Sequence, residues 1–369
     1  MTAARFAADL AAMLAERFER GEIGRRRFLA LLGAAGLAPA VLRSGEASAA
    51  TKEIIIANFG GDAVPTWQKA WGDPYNAESG NKATVIAAEP SPGAIKAQVE
   101  SGKVTWDCTD GDLFYGPVLG PQKLIQKYDF TKVDKAKVRP EFVTDWGCAA
   151  YLYSTVNAYN KEKTGGRAPN GYKDYLNFKD FPGKRAMYKW LVGSLEAVLI
   201  GSGVEPDKVY PLDVDKAFAF IRDHRDQFLL WGGGAASQQL FRDGEVVMGC
   251  LWSTRASVLD RDTGGRLTWV WDQGIVAPGV LQVLPNNPAG PLVWDFIAST
   301  QDPKRQIELL RLLGNGPANP AAGDMEPPEL QRIDCGYEPN YRRQIPINTK
   351  WYSENYERVQ NDFLDLMSG

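Results

Sequence analysis

The stretch Gly244-Glu245-Val246-Val247-Met248-Gly249-Cys250-Leu251-Trp252-Ser253-Thr254-Arg255 decides how the chain is read. Asp243-Gly244 is a turn signal, and the apolar run Val246–Leu251 has the length and β-branched content of a buried central strand. The run stops abruptly at an aromatic residue, two small hydroxyl residues and a cation. A parallel strand with Trp252 and Arg255 at its C-terminal end fits the rule that open α/β sheets bind ligands outside the carboxyl ends of their strands. The same residues also fit a tryptophan capping a core and an arginine on the surface, so the flanking sequence has to decide.

Upstream, Glu53–Phe59 reads as a strand that runs into Gly60-Gly61-Asp62, where paired glycines allow a sharp turn and a close approach. Helical spacing over Trp67–Ala77, a strand at Ala83–Ala88, a helix over 94–101 and a strand at Val104–Thr109 follow. The last of these runs into Asp110-Gly111-Asp112. Strands alternating with helices at this spacing predict a parallel α/β sheet. The aromatic and β-branched run Ala149–Tyr159, which contains Tyr151, predicts an extended crossover to a second α/β unit. That unit holds a helix over Ser194–Gly201, an amphipathic helix over Asp215–Arg225 with Ala217, Phe218 and Ile221 inward, and a strand at Phe228–Trp231. The strand opens into Gly232-Gly233-Gly234-Ala235-Ala236-Ser237. Backbone N–H groups of such a run suit an anion, but the spacing is neither a Walker loop nor a dinucleotide fingerprint. Trp269–Pro285 predicts the return crossover and a strand, and helices follow at Leu292–Ser299, Pro303–Leu313 and Trp351–Met367. The fold class expected is α/β: two lobes, two crossings and a cleft between them.

With 369 residues, two domains are the prior. The net charge of −3 gives no reason to expect a nucleic-acid partner. Arg25-Arg26-Arg27-Phe28-Leu29, an apolar run to about Val41 and Ala47-Ser48-Ala49 form a basic, an apolar and a cleavage region. They resemble a twin-arginine export signal over residues 1–49. The apolar run is far shorter than the roughly 20 residues a membrane span needs. The mature chain is therefore expected in the periplasm. Cys108, Cys148, Cys250 and Cys335 match no metal signature, and a single histidine argues against zinc. Cys108 and Cys250 read as buried small hydrophobes, with a Cys108–Cys148 bridge as an option. His224 lies in Arg-Asp-His-Arg-Asp and reads as a solvated surface residue. No Gly-x-Ser-x-Gly elbow or His-Glu-x-x-His helix appears. A carboxylate-based periplasmic hydrolase or transferase is the alternative to a binding protein.

Several segments, in order, carry a family resemblance: Asn58-Phe59-Gly60-Gly61-Asp62, Trp106-Asp107, Tyr159-Asn160, Phe181-Pro182-Gly183-Lys184, Tyr210 to Asp215, Asp243-Gly244-Glu245 with Trp252, Gly316-Pro317-Ala318-Asn319, and Asn348 to Tyr356. Together they resemble periplasmic substrate-binding components of ABC importers, in the spermidine/putrescine-binding branch with a type II fold. The resemblance implies one lobe from 50–157 and 276–330, a second from 158–275, and a tail over 331–369 whose helix packs on them. It implies a monomer that hands its ligand to a membrane permease, without cofactor or metal. In the polyamine binders, aromatic rings box the methylene chain and carboxylates hold the ammonium ends. Carried over, Phe59 and Trp252 take box positions, Asp62 lies near the acidic end of the first loop, and Asp110 and Asp112 follow the third strand. Tyr151, Ser237 and Asn315 complete the expected contacts.

The departures shape the expectation further. Arg255 stands where an acidic residue is expected, Val280 stands at or near another acidic position, and Asn315 replaces a tyrosine. An ammonium facing a buried arginine would cost on the order of 3–5 kcal/mol. Arg255 instead suits a carboxylate or phosphonate, with Asp62, Asp110 or Asp112 meeting any amine. The competing reading of Arg255 is a salt bridge with one of those aspartates.

Overall fold

The computed structural model describes residues 52–368, so the arginine-rich leader and its cleavage region lie outside the described residues. The strands are β1 (Glu53–Asn58), β2 (Lys82–Ala87), β3 (Cys108–Asp112), β4 (Val143–Thr144), β5 (Gly147–Asn160), β6 (Lys184–Tyr188), β7 (Phe228–Trp231), β8 (Val246–Trp252), β9 (Leu267–Val283), β10 (Gly316–Pro317) and β11 (Ile345–Pro346). The helices are α1 (Ala63–Trp67), α2 (Asp73–Ser79), α3 (Pro92–Glu100), α4 (Tyr115–Leu119), α5 (Ser194–Gly201), α6 (Val214–Asp223), α7 (Gly234–Arg242), α8 (Ser253–Asp262), α9 (Leu292–Ser299), α10 (Pro303–Leu313), α11 (Glu338–Tyr341) and α12 (Thr349–Ser368).

Sheet order is β2-β1-β3-β9-β5-β8-β6-β7. β2, β1 and β3 are parallel, and so are β8, β6 and β7. Between these two halves run β5 and β9, antiparallel to each other, of 14 and 17 residues. A typical strand has about 5–6 residues. The extra length lets each crossover belong to both halves. The β5–β9 register slips between Thr155 and Asn157, where the partner residue jumps from Ile275 to Val270. Gln273, inside the jump, has φ +61, and its N–H donates to Arg343 O at 2.7 Å. The fold is therefore α/β with two lobes joined by two crossover strands.

Three local expectations change. The third strand is Cys108–Asp112, so Asp110 and Asp112 lie inside it and share a face. Val104–Trp106 carries no strand, because Asp107, buried, uses its carboxylate on the N–H groups of Ile55 and Ala289, each at 2.6 Å. Helical spacing at Trp67–Ala77 is real, but a π-turn at Gln68–Gly72 separates α1 from α2 just before Pro74, which has no amide to donate. Residues 253–262, for which no helix was expected, form α8. β8 is buried throughout and parallel to β6, but antiparallel to β5 on its other side.

All four cysteines are free and buried, so Cys108 and Cys148 form no bridge. His224 is half-buried, with its ring stacked on Phe220 at 4.0 Å and its Nδ1 3.0 Å from Phe220 O; it is not a solvated surface histidine.

Candidate ligand-binding site

A cavity with about 710 Å³ of empty space, its mouth included, lies where the two sheet halves face each other. Of the residues chosen from sequence, Phe59, Asp110, Asp112, Tyr151, Trp252, Arg255 and Asn315 line it. Asp62 and Ser237 are not in its wall. The Asp62 carboxylate accepts from Gln238 Nε2 at 2.9 Å, and the Ser237 hydroxyl is buried and donates to Gly234 O at 2.7 Å. Ser237 caps its own helix turn, and no free hydroxyl is left.

The acidic end is built from two pairs of residues at i, i+2. Asp110 and Asp112 project from β3, and Tyr151 and Tyr153 project from β5, toward the same space. Tyr151 Oη donates to Asp110 Oδ1 at 2.5 Å, and Tyr153 Oη donates to Asp112 Oδ1 at 2.6 Å. To do so the tyrosines must cross β9, which lies between β3 and β5. Gly279 makes this possible. It pairs with Asp112 on one side and Tyr151 on the other, and a Cβ there would sit 2.0 Å from Tyr151 Cζ.

The two carboxylates are not equivalent. Asp110 is buried, and Asn58 Nδ2 donates to its second oxygen at 3.1 Å. Asp112 is half-buried, and among the described residues no donor reaches its Oδ2. Burial pushes the Asp110 carboxyl up to about 7; the Tyr151 hydrogen bond and the Arg255 charge oppose this, and the charge of Asp112 adds to it. Burial likewise raises Asp112 to about 6 against its bond from Tyr153.

Arg255 sits in the first turn of α8 and is buried. Its Nη1 donates to Thr254 Oγ1 at 3.1 Å and its Nη2 to Gly60 O at 3.0 Å, across the cleft. Among the described residues Nε has no acceptor. A guanidinium carries five N–H donors, so several remain uncommitted. Gly234 packs against it so closely that a Cβ would lie 2.2 Å from Nε. Burial pulls the Arg255 pKa down while the charges of Asp62 and Asp110 hold it up. These aspartates reach Arg255 only as charges, and neither hydrogen-bonds to it. A cation in the first turn of a helix is repelled by the positive end of the helix dipole, which leaves this corner of the cavity short of negative charge.

Aromatic rings supply the walls. Trp252 meets Phe59 edge-on at 5.9 Å and Tyr188 at 5.0 Å, and Arg255 lies 5.5 Å from its ring centre. Trp67 stands 5.4 Å from Tyr151. Trp67, Tyr115, Tyr153, Tyr188, Trp190 and Tyr356 also line the cavity and were not singled out from sequence. Tyr153 was within reach, because it repeats Tyr151 two residues on, as Asp112 repeats Asp110. Tyr188, Trp190 and Tyr356 carry no such local signal. Among the described residues no group of three or more His, Cys, Asp or Glu side chains could hold a metal ion, and no helix is long and apolar enough to cross a membrane.

Residues 70–332 match the family described as bacterial extracellular solute-binding protein. A gamma-aminobutyric acid-binding protein of Pseudomonas aeruginosa is 26% identical over 326 residues, covering 86% of this chain and 91% of that protein. An ABC transporter substrate-binding protein from Bradyrhizobium japonicum USDA 110 is 31% identical, with a TM-score of 0.78, over 86% of this chain and 100% of that one. The periplasmic binding protein AgtB from A. tumefaciens R10, in complex with agropinic acid, is 26% identical, with a TM-score of 0.80, over 86% of this chain and 99% of that one. These relatives are binding proteins and not enzymes: one binds gamma-aminobutyric acid, one is the substrate-binding protein of an ABC transporter, and one holds agropinic acid. The chain belongs to the bacterial extracellular solute-binding protein family.

Proposed function

We propose that the cavity captures a small zwitterion of the ω-amino acid class, such as γ-aminobutyric acid (GABA), for an ABC permease. The observation that carries this reading is that one cavity is lined both by a buried, partly uncommitted guanidinium, Arg255, and by an uncommitted carboxylate oxygen, Asp112 Oδ2. Arg255 takes the ligand carboxylate, Asp112 takes the ammonium, and Phe59, Trp252 and the tyrosines enclose the chain between them. Asp110, with both oxygens already engaged, balances the charge of Arg255 and makes no ligand contact through them. The charge of Arg255 acts on Asp110, whereas burial and then Tyr153 dominate at Asp112. The names of the relatives agree with an acidic ligand, GABA in one and agropinic acid in another. Polyamine specificity, implied by the sequence resemblance, fits less well, because one of two ammonium groups would have to lie near Arg255.

Around this core we propose an exported monomer that uses the twin-arginine route. Lobe 1 comprises 50–157 and 276–330, lobe 2 comprises 158–275, and the tail spans 331–369. Hinge motion is focused at the register slip near Thr155–Asn157. Isothermal calorimetry of the purified chain with GABA, butyrate and putrescine tests the ligand class. GABA is expected to bind at least about tenfold more tightly than either single-ended or doubly cationic compound. Tight putrescine binding without GABA binding would refute the assignment.

A further inference from the structure

Helix α12 lies far along the chain from the strands that build the cavity, yet Tyr356 lines that cavity. Tyr352, Tyr356, Val359 and Phe363 recur at helical spacing on one buried face. That face touches both halves of the molecule. Toward the β3 side, Phe114 stacks on Tyr352 at 5.0 Å and also lies 5.0 Å from Tyr356, while Gln122 Nε2 donates to Glu357 Oε1 at 2.8 Å. Toward the β6–β8 side, Tyr352 Oη donates to the buried Glu196 at 2.8 Å, Leu191 N donates to Gln360 Oε1 at 3.2 Å, and Phe363 stacks on Phe218 at 6.0 Å. The helix that carries Tyr356 is thus held from both sides. The Tyr356 ring centre lies 6.1 Å from that of Tyr115, whose own ring packs so closely on Gly111, between Asp110 and Asp112, that a Cβ there would sit 2.7 Å from it; burial, and after it the charge of Asp112, pushes the Tyr356 hydroxyl up.

We infer that α12 is part of the binding site and that Tyr356 is a specificity-determining residue, closing the Asp112 end around a cationic group. The inference rests on the ligand reading above only for the identity of that group; the placement of Tyr356 beside Asp112 in an accessible cavity can be tested without any ligand. All four native cysteines are buried and none lines the cavity, so in a single Tyr356→Cys variant the introduced thiol is the one that faces it. Its labelling is followed with the cationic reagent 2-aminoethyl methanethiosulfonate and the anionic reagent 2-sulfonatoethyl methanethiosulfonate. The cationic reagent is expected to react about tenfold faster, relative to the rates of both with a free thiol. Adding Asp112→Asn is expected to remove most of that preference. No labelling, or equal relative rates, overturns the inference. Protection of the thiol by GABA reports separately on the ligand class, so failure of that arm alone counts only against the ω-amino acid reading. Should Tyr356→Cys not fold, Tyr356→Leu and Tyr356→Phe serve instead, with GABA and putrescine as cationic probes. The leucine variant is expected to lose roughly tenfold in affinity for whichever probe the parent binds, and the phenylalanine variant less than about threefold. Unchanged affinity in the leucine variant, or parent binding to neither probe, overturns the inference.

Discussion

Arg255 and Asp112 are costly residues at the places they occupy, and the cost is informative. A buried guanidinium with unmet donors and a carboxylate raised to about 6 both cost stability without a ligand, and the proposed zwitterion would relieve both. The pH dependence follows. Both carboxyls have folded values, about 7 and about 6, above the unfolded value of about 3.9. Between those limits the folded chain binds more protons than the unfolded one, so these two groups lower stability as pH rises from about 4 to about 7. An ammonium beside Asp112 favours its ionised form. GABA affinity should therefore increase from pH 5 to pH 8, with release of up to about half a proton from Asp112 at pH 6. Calorimetry in two buffers of different ionisation enthalpy measures that release. Proton uptake, or a release unaltered in Asp112→Asn, would speak against the ammonium position. At this scale the legible signals are the places where chemistry departs from pattern. Arg255, Asp110 and Asp112 all line the cavity, where the carboxyl ends of β3 and β8 deliver them. Asp62 misled because a loop acid can equally well bond across a cleft, as it does to Gln238.

The elements matter through the glycines that let them approach. β9 carries Gly279 under the Tyr151 ring, and α7 begins with Gly234 against Arg255. Gly234→Ala should displace the guanidinium and reduce GABA affinity about tenfold or more, with a melting temperature close to the parent's. Gly279→Ala should do both kinds of damage, pushing Tyr151 off Asp110 and costing about 1–3 kcal/mol by overpacking. Thermal denaturation with calorimetry separates the two variants, and equal stability loss in both would contradict this assignment. The long crossovers were legible in the sequence because aromatic and β-branched runs of that length suit little else. α8 was not, since Ser253-Thr254-Arg255 after a tryptophan has no apolar period to mark a helix. The third strand was placed too early because Val104-Thr105-Trp106 has strand propensity, whereas tertiary pairing with β9 selects Cys108–Asp112.

For the whole molecule, the contacts that span the cleft show how closure is held. Gln238 Nε2 reaches Asp62 at 2.9 Å, and Arg255 Nη2 reaches Gly60 O at 3.0 Å. The first is independent of the ligand and should favour the closed form alone. Gln238→Ala should weaken every ligand by a similar factor, about fivefold, without changing their order. Small-angle scattering of the free variant should show a more open particle; a change in ligand order would give Gln238 a direct contact instead. The two-lobe plan could be anticipated from alternation of strands and helices. The role of α12 could not, since nothing local in Tyr356 tells that its helix returns to the cavity. The most direct test of the central claim uses the ligand as one partner of a double-mutant cycle. Affinities of GABA and n-butylamine, which differ by the carboxylate, are measured on the parent and on Arg255→Ala. The prediction is a loss of about a hundredfold for GABA and little or none for n-butylamine. Equal losses for the two compounds would show that Arg255 holds the protein together and does not grip the ligand's anionic end.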